Sequence, residues 1–266
     1  SMSIGESCTL RFLSILGVLA GTAMAQVPSP EPPRAYCRFP AIHGDQVVFT
    51  AEGDLWRVPA TGGTAQRITT HPGTESHASI SPDGRWLAFS AEYEGPVEVY
   101  VMPLAGGLPK RLTHEASTAR VTEWSPDGRI VFSTDADATL PARQLARVHP
   151  ETGERDVVPL AQANQGTWDP STGTLYFTRF PKQGSATKRY RGGWIENLWR
   201  FAPGDAEATP LTPDFPGTSR TPLWAQGRLY FVSDRDGTQN LWSMKPDGSD
   251  ARQHTTHRDL DIRHAA

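Results

Sequence analysis

Five times along this chain of 266 residues an apolar run ends on phenylalanine, at Phe49, Phe89, Phe132, Phe177 and Phe231, with spacings of 40, 43, 45 and 54. The surrounding text recurs with them. VVFTAEGDLWRVP (47–59) returns as LAFSAEYEGPVEVYVMP (87–103), as LYFTR followed by ENLWRF (175–201), and as LYFVSDRDGTQNLWSM (229–244). A self-similar period of this length means one supersecondary unit repeated, each copy burying its apolar face on the next. Every other reading of the chain has to fit inside that constraint.

The unit is readable from its turns. Ahead of each phenylalanine stands a turn segment, such as Ser81-Pro82-Asp83-Gly84 or Ser125-Pro126-Asp127-Gly128. A second follows the third run, as in Gly62-Gly63, Gly106-Gly107 and Pro246-Asp247-Gly248. Proline presets φ at the first turn position and glycine takes the positive φ. A fourth short run closes the unit: AQRITT (65–70), PKRLTH (109–114), ATPLTP (208–213), ARQHTT (251–256). Within the runs apolar and small or polar residues alternate, as Leu87 and Phe89 do with Ala88 and Ser90, which is the period of a strand. Four short strands per 40–45 residues is the signature of a β-propeller blade. The fold class is therefore all-β, a β-propeller of four-stranded blades. Five units are present, at 38–71, 74–115, 120–162, 164–213 and 217–257, and residues 258–266 read as the start of a sixth. Because an open ring exposes sheet edges, the repeats make either a five-bladed ring or part of a six-bladed one, and the tail favours the latter.

Composition agrees. Gly 24 and Pro 23 together make 47 of 266 residues, about 18% against a usual sum of about 12%, which suits many tight turns and lacks the period of collagen. Eight tryptophans find places in the repeat: Trp56, Trp199 and Trp242 share one blade position, with Tyr100 as their fourth, and Trp86, Trp124, Trp168 and Trp224 fall on inner strands or beside the first turn. Large rings there fill the wedge between radially arranged sheets. A net charge of −3 argues against a nucleic-acid partner. Two cysteines exclude a disulfide scaffold and a Cys-rich zinc site.

Residues 1–37 lie outside the repeats. Phe12 to Ala25 is an uncharged apolar run that ends Ala23-Met24-Ala25, too short to span a bilayer as a helix and shaped like a signal peptide. The expectation is a signal peptide over 1–25 with cleavage after Ala25, a Pro-rich linker over 26–37, and a propeller over 38–266, with no membrane span after cleavage. Export to the periplasm or secretion follows from that segment.

The repeats resemble those of TolB-like proteins and of the tricorn-type serine peptidases. Three segments are similar to the tricorn-type first propeller, in the right order across 38–263. They are Phe39-Pro40 through Phe49 with Gly53-Asp54-Leu55-Trp56, Lys188-Arg189-Tyr190-Arg191-Gly192-Gly193 with Asn197-Leu198-Trp199, and Gly227 through Gly237 with Arg252-Gln253-His254-Thr255. The resemblance implies a six-bladed propeller at the head of a large oligomeric peptidase. It implies too that a second propeller, a PDZ domain and a serine-peptidase domain follow, with the propellers controlling passage of oligopeptides. It implies homo-oligomers, oligopeptide partners and PDZ and peptidase domains as neighbours, in an enzyme that in some members is cytoplasmic. It also implies adjacent arginines that anchor a peptide carboxylate on entry to the third blade. Here Arg120 alone matches.

No catalytic residue is readable in the chain itself. Neither a G-x-S-x-G elbow nor an H-E-x-x-H motif occurs, and no cofactor or metal set is predicted. Asp234-Arg235-Asp236-Gly237 reads as a hairpin turn rather than a calcium loop, for want of further oxygen ligands. The long segment 181–196 stands out between the second and third strands of blade four. It carries Lys188, Arg189 and Arg191 with Tyr190 among them, and a loop of that length inside a compact repeat is commonly functional. Arg120, Lys188, Arg189, Tyr190 and Arg191 are the candidate binding residues, for a peptide carboxylate or a docked domain. Two functions remain open at this point: the non-catalytic propeller of an exported tricorn-like serine peptidase that gates or guides oligopeptides and holds the assembly together, or a stand-alone TolB-like propeller serving as a protein-interaction module.

Overall fold

The computed structural model describes residues 36–140, 142–181 and 192–263. They form five four-stranded antiparallel sheets and no helix. Blade 1 comprises β1 (Arg38–His43), β2 (Gln46–Ala51), β3 (Asp54–Pro59) and β4 (Gln66–Arg67); blade 2 comprises β5 (Glu75–Ile80), β6 (Trp86–Ala91), β7 (Glu98–Pro103) and β8 (Lys110–Arg111). Blade 3 has β9 (Arg120–Trp124), β10 (Ile130–Thr134), β11 (Gln144–Val148) and β12 (Arg155–Val157). Blade 4 has β13 (Gln165–Asp169), β14 (Thr174–Thr178), β15 (Leu198–Phe201) and β16 (Thr209–Pro210), and blade 5 has β17 (Ser219–Ala225), β18 (Arg228–Ser233), β19 (Asn240–Met244) and β20 (Arg252–Gln253). Within each blade the strands pair in chain order.

The tight turns form as their residues dictate. Gly84 and Gly128 sit at φ +69° and +79° and close their turns with N–H bonds to the Ser81 and Ser125 carbonyls at 2.8 and 2.9 Å. The Ser81 hydroxyl adds a bond to Asp83 at 2.6 Å and accepts the Trp86 N–H at 2.9 Å. The aromatic register is also as expected: Phe49 lies opposite Trp56, Phe89 opposite Tyr100, Phe177 opposite Trp199, and Phe231 opposite Trp242. One refinement concerns the alternation. Leu87 and Phe89 face blade 1, but Ala88 and Ser90 on the other face are equally buried, at 0% exposure, because blade 3 covers them. Both faces of an inner blade are core, and the second is lined by small residues.

Each inter-blade wedge is one apolar cluster. Leu87, Phe89 and Met102 pack with Val48 and Leu55 between blades 1 and 2; Ile130, Phe132 and Trp124 pack with Val99 and Val101 between blades 2 and 3. Leu175, Phe177 and Trp168 meet Val131 and Leu145, and Phe231, Trp224 and Trp242 meet Tyr176 and Leu198. On the far side of blade 1, Phe49, Val47, Trp56 and Val58 form a cluster that, among the described residues, is drawn from their own blade. The inner strands pack in sequence, β1 on β5, β5 on β9, β9 on β13 and β13 on β17, and among the described residues β17 does not return onto β1 to a comparable extent.

A polar clasp repeats with the blades. The N–H of the third strand bonds to a threonine hydroxyl on the fourth run: Leu55 to Thr69 at 2.8 Å, Val99 to Thr113 at 2.8 Å, Leu198 to Thr212 at 3.1 Å and Leu241 to Thr255 at 2.9 Å. Each hydroxyl donates in turn, to Glu75 (2.6 Å), Glu98 (2.5 Å), Asn197 (3.3 Å) and Asn240 (2.9 Å). A second bond marks where the chain re-enters the hub: Glu75 N–H to Gly53, Ala119 to Val97, Ala163 to Arg143 and Ser219 to Glu196, at 2.7–2.8 Å. Ile262 repeats it with the Gln239 carbonyl at 2.9 Å, so residue 262 stands where an inner strand begins in blades 2 to 5.

Candidate functional site

The inner strands of all five blades converge on one cavity of about 540 Å³, within the usual size of a ligand site. Its wall is irregular by construction. Four of the five inner strands carry a one-residue irregularity in their pairing, in β1 after Arg38, in β5 after Ser76, in β9 at Thr122 and in β17 after Arg220. A bulge bends its strand and re-aims the side chains near it. At three of them a non-glycine residue is left-handed: Phe39 (φ 50°), His77 (φ 52°) and Thr221 (φ 52°). That conformation is costly for a β-branched residue such as Thr221. The Phe39 and His77 rings stack at 4.0 Å across neighbouring blades. Strand β13 alone runs without a bulge. There Gly166 lets it approach blade 3, since a Cβ at that position would lie 2.8 Å from Leu175 Cδ1 and 3.1 Å from Leu145 Cδ1.

Four ionisable residues line the cavity among those described: His77, Arg120, Glu123 and Arg143. Three of them belong to blade 3. Arg120 pairs in register with Ser133, the Arg143 guanidinium donates to the Ser133 hydroxyl at 3.4 Å, and the two arginines are near enough for the charge of one to act on the other. Burial lowers the Arg143 pKa, the like charge of Arg120 lowers it further, and Asp135 partly offsets both. Glu123 lies three residues beyond Arg120. Burial pushes its carboxyl up to about 8, against a hydrogen bond from Thr167 that favours the charged form. The Thr167 hydroxyl also accepts the Trp224 N–H at 3.0 Å. Blades 3, 4 and 5 are thereby joined through one polar chain that runs behind the cavity wall.

Of the residues singled out in the sequence, Arg120 lies in this cavity. Lys188, Arg189, Tyr190 and Arg191 lie outside the described residues. Flanking them, Pro181 lines the cavity and Trp194 is exposed, its ring tilted against Phe180 at 5.1 Å between centroids. Reading the sequence missed Glu123, Thr167 and Arg143. A signal existed for the first: RVTEW places a carboxylate between the apolar positions of a strand whose two sides are both covered. Arg143 carries no such mark, since only the fold brings it beside Ser133.

A serine and a histidine do meet elsewhere. On the outer strands of blade 5, His254 Nε2 and Ser243 Oγ are 2.8 Å apart, but Ser243 is fully buried and its oxygen also accepts Arg228 Nε at 3.0 Å, so the pair fastens the end of β20 to β19 rather than meeting a substrate. Asp234–Gly237 forms the expected hairpin turn, with Gly237 at φ 101° and its N–H on the Asp234 carbonyl at 2.9 Å. The Asp236 carboxylate there accepts from Asn240 at 2.9 Å.

Comparison with known proteins places this geometry. The sequence matches the tricorn protease N-terminal beta propeller domain over residues 34–266. It is 38% identical over 235 residues to tricorn protease homolog 1 of Streptomyces coelicolor, covering 87% of this chain and 22% of that protein. It is 29% identical to the tricorn protease of Thermoplasma acidophilum, covering 85% and 22%. The chain thus spans about a fifth of the length of these relatives. The crystal structure of the tricorn protease superposes with a TM-score of 0.77 at 26% identity, over 86% of this chain and 23% of that one. A putative TolB from Agrobacterium tumefaciens shares the fold, with a TM-score of 0.67 at 20% identity over 82% and 80% of the two chains. The repeat, the blade topology and the extent of these matches agree on one conclusion: the chain belongs to the family of tricorn protease N-terminal beta-propeller domains.

Proposed function

We propose that this propeller is the non-catalytic portion of an exported tricorn-like serine peptidase, and that its hub admits and orients oligopeptides by their free carboxylate. Arg120 and Arg143, side by side at a cavity that every blade lines, carry the reading. Two neighbouring guanidinium groups on one cavity wall suit a planar anion, and a peptide in transit presents one at its C-terminus. Peptide-bond hydrolysis would occur in a serine-peptidase domain, with a PDZ domain and homo-oligomer formation completing the assembly. The basic segment at 188–191 would dock a neighbouring domain or a second peptide carboxylate. Residues 1–25 would direct export and be removed.

The test compares hexa-alanine as the free acid and as the C-terminal amide. The free acid should bind more tightly, and Arg120→Gln with Arg143→Gln should remove the difference. Equal binding of acid and amide to the unaltered chain would refute the carboxylate reading. Export is tested separately by the mass of the mature protein from its native host, which should begin at Gln26.

A further inference from the structure

Resting on that reading, we propose that Glu123, held from behind by the buried Thr167 hydroxyl, forms a subsite for the α-ammonium of a short peptide whose carboxylate lies toward Arg120 and Arg143, which gives the hub a fixed polarity. Two features carry it. Glu123 is the one carboxylate among the described residues that line the cavity, and its partner among the described residues is the Thr167 hydroxyl rather than a guanidinium. The cations stand three residues back along the same strand. Three residues of strand span about 10 Å, somewhat less with the bulge at Thr122, and an extended peptide gains about 3.3–3.6 Å per residue. A peptide of two to three residues therefore fits between the two charges.

The proton follows from the surroundings. The other ionisable groups on the wall are Arg120, Arg143 and His77. Before binding, burial keeps Glu123 protonated. An arriving ammonium, already charged near neutral pH, favours the carboxylate, so one proton leaves Glu123 for the buffer as the ion pair forms.

Calorimetric titration of tri-alanine and N-acetyl-tri-alanine into the chain, at pH 6.5 in two buffers of different ionisation enthalpy, tests this. Tri-alanine should bind with release of nearly one proton, and the acetylated peptide with none and about tenfold more weakly, the loss of one charge-assisted contact. Glu123→Gln should abolish proton release, which separates Glu123 from His77, and should bind both peptides alike. Equal binding of both peptides to the unaltered chain without proton release would overturn the subsite while leaving the carboxylate reading intact. Binding of neither peptide would overturn both.

Discussion

At the scale of single residues, the threonine clasp is the most repeated polar device in the molecule. Thr113 accepts the Val99 N–H and donates to Glu98, which is 1% exposed. Thr113→Val would leave a strand N–H and a buried carboxylate oxygen without that partner. The expected cost is about 1–3 kcal/mol. Thr212→Val should cost less, since its hydroxyl meets a neutral Asn197 at 3.3 Å. Urea midpoints at unchanged m-value decide the order; equal losses would show that the acid partner is immaterial. Glu123 makes the second residue-scale prediction. Its folded pKa, about 8, lies above that of the unfolded chain. The folded state therefore holds a proton that the unfolded state has released, and stability from this group is full below about pH 4 and is lost as pH rises toward 8. Glu75, also raised by burial, adds a slope of the same sign. Measured as a difference in melting temperature, the unaltered chain should lose ground to Glu123→Gln between pH 5 and 8, and a flat difference would contradict the assignment.

At the scale of elements, much was legible beforehand and the remainder has a physical reason for escaping notice. The Ser-Pro-Asp-Gly turns and the Phe–Trp pairs across strands 2 and 3 follow from local chemistry, so the repeat carries them openly. Local chemistry does not announce the bulges. Phe39, His77 and Thr221 adopt left-handed φ where the pairing of their strands shifts by one residue, and nothing in FPA, HAS or TPL marks that. Arg143 likewise becomes a cavity residue only when β11 folds beside β10. Gly166 marks the converse case, where β13 stays regular by lacking a side chain. Gly166→Ala would force a Cβ against Leu145 and Leu175, which are 0% and 2% exposed and cannot easily yield. Overpacking of this kind costs about 1–3 kcal/mol, read as a lowered melting temperature. An unchanged value would mean that β13 can shift outward without loss.

At the scale of the whole molecule, each pair of adjacent blades shares one apolar wedge, so the contribution of a core residue depends on the neighbour it faces as well as on its own blade. The repeat supplies its own control, because Phe49 and Phe132 hold the same position in different surroundings. Phe132 is 0% exposed and packs across the wedge on blade 2, among Ala88, Val99 and Val101. Phe49 is 7% exposed and its cluster, Val47, Ala51, Trp56, Val58 and Ala65, belongs wholly to blade 1. Phe132→Ala would open a cavity bounded by two sheets that cannot both collapse inward. It should cost about 3–5 kcal/mol. Phe49→Ala removes the same atoms, but among the described residues no second sheet bounds the gap, so its cost should fall to about the transfer contribution alone, 1.5–3 kcal/mol. Chemical denaturation of both variants measures the difference directly. Comparable losses would mean that a further surface covers blade 1 as closely as blade 2 covers blade 3. The same pair of variants, repeated in any longer form of the protein, would then report whether that covering comes from additional chain, because only the cost of Phe49→Ala should rise.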